Sequence, residues 1–127
     1  MDIIQFSEDF KKVFAVDCFE KEFESLFSPS DYKRYANWLQ RNLRNLDNYG
    51  KKAVDGYRIE KLEIKKYDIY SIRYPRSKSN PRVLFFFATE GNDIILLAAL
   101  LEKSPSDYNM SVQVAKRRMR ILCMEDY

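Results

Sequence analysis

Read for alternation of apolar and polar positions, the chain changes period twice. Residues 2–6, DIIQF, fit a short strand. The stretch 8–27 then spaces Phe10, Val13, Phe14, Cys18, Phe23 and Leu26 in a broken helical stripe behind Ser7, which can accept from the first free backbone N–H groups. This predicts a first helix. SPSD at 28–31 is a stronger helix start: Ser28 as cap, Pro29 where a missing N–H costs nothing, and Asp31 reaching back. Tyr32, Tyr35, Leu39, Leu43 and Leu46 then share one face and Gly50 is the stop, while Lys33, Arg34, Arg41 and Arg44 share the other.

Beyond a polar connector the period becomes two. RIEKLEI (58–64), YDIYSIRY (67–74), RVLFFFAT (82–89) and DIILLAALL (93–101) read as consecutive strands, with EGND at 90–93 as a tight turn. The last is almost continuously apolar, as a strand covered on both faces would be. A closing helix follows, capped by Ser106 or Asn109, with Val112, Ala115, Met119 and Leu122 as its apolar stripe and Lys116, Arg117, Arg118 and Arg120 around it. Helices, then strands, then a helix predict a single α+β domain over 1–127: an N-terminal helical hairpin and a C-terminal helix packed on one face of a twisted antiparallel sheet.

Composition narrows the chemistry. The 127 residues contain no histidine, so imidazole acid–base chemistry, His-based triads and His-containing zinc sites are excluded. Cys18 and Cys123 lie far apart with no motif around them and read as free thiols. The apolar run 94–101 is too short to span a bilayer and the N-terminus is polar, so a cytoplasmic protein is expected. Residues 1–27 carry seven acids and three lysines; residues 28–61 carry eight bases and four acids, and residues 62–127 eleven bases and eight acids. An acidic opening and a basic remainder suit a polyanionic partner, and suit an ordinary mixed surface too.

The hairpin YSIRYPRSKSNPRVLFFFA at 70–88 sharpens this. If Tyr74 pairs with Pro81, Arg73 lies opposite Arg82 on one face, with Arg76 and Lys78 in the loop between them. Tyr70, Ile72, Val83, Phe85 and Phe87 then form an apolar face for the helices, which leaves the arginine face exposed. Opposed like charges are destabilising by up to about 1 kcal/mol unless a carboxylate or a bound anion lies between them. Two readings stay open on periodicity: edge cations that keep a sheet soluble, and a grip for phosphate.

The succession IYSIRYP…NPRVLFFFATEGNDIILLAALLEKSPSDYNMSVQVAKRRM, about 57–122, resembles the RelE/HigB-type toxins of bacterial toxin–antitoxin pairs, including their phage-derived branch. It is similar in its basic strand at Arg73, an R-x-x-[YF] strand at RVLF, a Gly turn, an apolar strand, a Lys-containing segment and a terminal helix with an A-x-x-R core. The resemblance implies a small α+β toxin that cuts mRNA, often on the ribosome, using the 2′-OH of the substrate and no metal or other cofactor. It implies a cognate antitoxin as partner and no membrane. By position, Arg73 and Arg82 would hold the scissile phosphate and Lys103 would sit near the leaving end. Tyr108 would stack on a base or donate a proton, and Lys116 and Arg117, like Arg76 and Lys78, would contact the RNA. Without histidine, the proton work falls to a lysine or tyrosine whose pKa a positive pocket lowers. Two positions depart from the pattern: Ser71 stands where some relatives have a second base, and Glu102 replaces one of two cations at 102–103. These departures suit an alternative: a non-catalytic protein of the same fold, such as a gyrase-directed toxin or an inactive phage-derived regulator.

Overall fold

The computed structural model describes residues 1–74, 79–88 and 92–125, with side chains as far as Cys123. The loop cations Arg76 and Lys78 and the turn residues Glu90 and Gly91 lie outside the described residues. In chain order the elements are β1 (Ile3–Gln5), β2 (Val13–Val16), α1 (Phe19–Ser25), α2 (Pro29–Tyr49), a 3₁₀ turn (Gly50–Ala53), β3 (Ile59–Lys61), β4 (Tyr70–Arg73), β5 (Pro81–Phe87), β6 (Ile94–Leu101) and α3 (Pro105–Glu125). The strands form one six-stranded sheet in the order β1-β2-β6-β5-β4-β3.

The first predicted helix is shorter than its stripe. Residues 13–16 are a strand, and α1 begins only at Phe19. Phe10, Val13 and Phe14 fit either period, and tertiary pairing decides between them: Val13, Phe14 and Ala15 run parallel to Ile94, Ile95 and Leu96 of β6. β6 thereby becomes a central strand, which accounts for its apolar run. That one parallel pair also departs from the all-antiparallel sheet expected; the remaining strand pairs are antiparallel.

α2 starts as read, with the Ser28 hydroxyl accepting from the Asp31 N–H at 3.3 Å and Pro29 in the first turn. It packs Tyr35, Trp38, Leu39, Leu43 and Leu46 inward. Tyr74 sits against Tyr35 (5.3 Å between ring centroids) and Trp38 (5.6 Å). The face that carries Tyr74, Ile72 and Val83 is thus covered by α2.

The other face is covered as well. Tyr108 of α3 lies over the Arg82 guanidinium at 5.3 Å, and buried Val112, Ala115 and Leu122 of α3 join the same core as Leu84, Ala98 and Leu100. The helices therefore sandwich the sheet, and the expectation that they share one face does not hold. The register shift between Leu84 and Phe85 pairs them with Ala98 and Leu96, so Leu97 is a bulge. Its carbonyl accepts from Nη1 of Arg118 at 2.7 Å, and the same guanidinium grips both oxygens of Glu22 at 2.7 Å. One side chain thus satisfies the bulge and ties α3 to α1. Among the described residues, no helix is long and apolar enough to cross a membrane.

Candidate functional site

The hairpin register is the one the sequence predicted: Arg73 is the Cα partner of Arg82, and the Tyr74 N–H donates to the Pro81 carbonyl at 3.2 Å. The surroundings of the two arginines differ from the expectation. Arg82 is not a surface cation, because its side chain is 12% exposed. Its Nε donates to Glu102 at 2.5 Å and its Nη1 to Glu60 at 2.9 Å and to the Ser71 hydroxyl at 3.3 Å. Each partner follows from the topology. Glu60 pairs across β3–β4 with Ser71, whose own partner on β5, Leu84, is two residues from Arg82 and on the same face. Glu102 is held by Asn80, which takes a left-handed conformation (φ 42°) and whose amide donates to the Glu102 carbonyl and carboxylate, each at 3.3 Å. Ser71 is wholly buried, and its small side chain leaves room for the guanidinium.

The like-charge problem of the opposed arginines is thus solved by carboxylates. One cation faces two acids, so the cluster's charge is already offset and no phosphate is needed to balance it. Glu102, which reads in the sequence as a lost cation, is an integral member. Tyr108 closes the cluster above Arg82. Burial pushes its phenol above the ordinary tyrosine value, and although Arg82 opposes this, Glu60 and Glu102 add to it. The expected lowering does not occur, because desolvation disfavours the phenolate and the nearby cation is shared with acids.

Arg73 has other neighbours. With Arg41, Arg44 and Arg58 it lines a cleft of about 620 Å³ between α2 and the β3–β4 edge, walled also by Trp38 and Tyr74. Among the described residues, no Asp or Glu lines it. The Arg73 guanidinium lies 5.9 Å from the ring centre of Tyr57, and its Nε is buried with no hydrogen-bond partner among the described residues. Arg58 and Tyr57 are presented by a loop wound around Asp55. Its carboxylate accepts from the N–H groups of Tyr57 (2.8 Å), Arg58 (2.8 Å) and Ile59 (3.1 Å). Gly56 supplies the left-handed residue of that loop (φ 79°). Burial pulls the Asp55 carboxyl upward, and those backbone donors outweigh it and hold it below the usual carboxylate range.

The remaining sequence candidates are scattered. Lys103 is exposed beside a shallow surface hollow lined by Leu26, Asp107 and Met110. Arg117 is exposed and Lys116 half-buried, about two turns or 12 Å along α3 from Tyr108. Glu60, Arg58 and Tyr57 were passed over in the sequence, because alternation shows which face a residue takes but not which neighbour it meets. Arg41 and Arg44 were visible only as the polar side of a helix.

Among solved structures, the chain is similar to an arginine-to-alanine double mutant of the E. coli toxin RelE in the free state. The TM-score is 0.53 and the identity 14%, over 80% of this chain and 93% of that one. This chain has the RelE fold. No protein-family model and no curated protein matches the sequence. The RelE likeness is one of backbone, so side-chain chemistry has to be read from this chain's own residues. On a RelE-fold sheet, the Arg73–Arg82 register joins the two backbones at one end of the β4–β5 hairpin, while the side chains part: Arg82 lies under Tyr108 of α3 and Arg73 lines the cleft against α2, so the shared arginine face expected from the sequence is not what forms.

Proposed function

We propose that this protein is a RelE-fold toxin directed at RNA, cutting translated mRNA in the cytoplasm without a metal and held in check by a cognate antitoxin. The observation that carries the reading is the cross-strand register of Arg73 and Arg82 at the mouth of the hairpin on this fold. The roles differ from a simple pair of phosphate-binding cations. Arg73, whose described neighbours include no acid, holds the scissile phosphate. Arg82 holds Glu60 and Glu102, and one of those carboxylates takes the proton of the attacking 2′-OH. The 2′-oxygen attacks phosphorus, the bond to the 5′-oxygen breaks, and a 2′,3′-cyclic phosphate is left. Tyr108 stays protonated at neutral pH and donates to the leaving 5′-oxygen. Lys103, Lys116 and Arg117, with the loop cations Arg76 and Lys78, serve as outlying contacts to the RNA or ribosome.

A second reading has its own observation. The Arg82 cluster has two carboxylates for one guanidinium, and surplus negative charge opposes an approaching phosphate. That favours a non-catalytic protein of the same fold acting on another target, such as gyrase. Induced expression separates the two. Translation arrest with new mRNA 5′ ends inside coding regions supports the nuclease; a DNA-damage response with intact mRNA supports the second reading and refutes the first.

A further inference from the structure

From the cleft, we infer that α2 forms half of an RNA-binding groove, in which Arg41 and Arg44 carry the phosphates flanking the one at Arg73. The choice of RNA as ligand rests on the reading above; the existence of an anion groove rests on the geometry. Arg41 and Arg44 are both exposed and lie one helical turn apart, so they project from the same side of α2. Arg58 faces them from the start of β3, and Arg73 closes the end. Four guanidinium groups around one cleft repel each other, and among the described residues no carboxylate lines it to offset them. The nearest acid of the β3 loop, Asp55, is occupied by three backbone N–H groups. The buried Arg73 Nε lacks a partner in the described residues, a cost that a bound oxyanion would remove.

The class of anion follows from what accompanies the charge. Tyr57 is 49% exposed beside Arg73, which offers an aromatic face on which a base can stack. Asn45, also at the cleft and exposed, brings an amide able to meet a base edge. An acidic peptide would use the cations but has no call for the open ring. Guanidinium forks, a ring and an amide together fit single-stranded RNA.

The test uses the whole protein and a 5′-fluorescein RNA of about ten nucleotides, a length within single-strand site sizes, made with 2′-O-methyl sugars so that it cannot be cleaved. Binding is followed by anisotropy from about 50 to 200 mM KCl. Arg41→Ala/Arg44→Ala should weaken binding roughly tenfold or more at low salt and reduce the slope of log affinity against log salt by about 1.4, two contacts at about 0.7 each. Both sites are exposed and alanine favours helix, so Trp38 emission should be unchanged, confirming the fold. Unchanged affinity and slope overturn the inference, and so does tighter binding of a polyglutamate of equal charge that the same substitutions abolish. Variant-sensitive binding without cleavage of ribosome-bound mRNA leaves the groove standing and removes the nuclease. Cleavage with variant-insensitive binding does the reverse.

Discussion

Replacing Arg82 by alanine should be a stability experiment before it is a functional one. The sequence suggests a surface cation that can be removed without cost to the fold. In the structure its side chain is 12% exposed, and its removal leaves Glu60 and Glu102, 26% and 25% exposed, without their shared cation. Breaking a fully buried ion pair costs about 3–5 kcal/mol. Both acids here are partly solvated, so a smaller figure applies, about 2 kcal/mol after allowing for water reaching the freed carboxylates. For a domain of this size that is a fall in Tm of about 6–10 °C. The single tryptophan, Trp38, is 4% exposed and reports global unfolding in urea by its emission. A second signature separates charge from packing. Arg82→Met with Glu60→Gln and Glu102→Gln should regain much of the loss. A variant that melts within about 1 °C of wild type, or a triple variant no more stable than Arg82→Ala, would refute the ion cluster as described.

Arg118→Ala should cost about 2–3 kcal/mol, because it strands the Leu97 carbonyl at the bulge and the Glu22 carboxylate together; lysine should recover only part, and urea titration reads both. Asp55→Asn should flatten the acid limb of the stability curve. The Asp55 carboxyl is held below its unfolded value, so its contribution is present above about pH 4 and is lost as the pH falls through the lowered folded value. Wild type and variant should therefore converge below about pH 4 in a pH series of melts. Tyr108→Phe should lower the single-turnover cleavage rate by about 10²-fold, the usual share of a general acid, while leaving binding of uncleavable RNA unchanged; an equal loss in both would make Tyr108 a binding residue.

Much of the scaffold was legible in the chain. Ser28, Pro29 and Gly50 bracket α2 because capping chemistry is local, and β4, β5 and β6 show in the alternation and apolar runs of a central sheet. The register of Arg73 with Arg82 rests, in the sequence, on the supposition that Tyr74 pairs with Pro81, and the structure has that pairing. What local pattern could not supply was the third dimension. Val13 to Val16 carry an apolar run that fits a helix until β6 offers a partner. Glu60 and Glu102 are separated by 42 positions, and only the sheet and the Asn80 clamp bring them to one guanidinium. The α2 arginines have the spacing of any solvated helix face, and the cleft appears only when the Asp55 loop sets Arg58 across from them.

The measurement that bears most directly on the proposed function is cleavage of an mRNA held on ribosomes with an empty A site, with the product ends identified by mass, for wild type and Arg73→Ala. The account predicts fragments ending in 2′,3′-cyclic phosphate for wild type and loss of at least about 10²-fold in rate for the variant, whose fold should be intact by Trp38 emission. Intact mRNA on those ribosomes with wild type, or equal cleavage by both proteins, would contradict it.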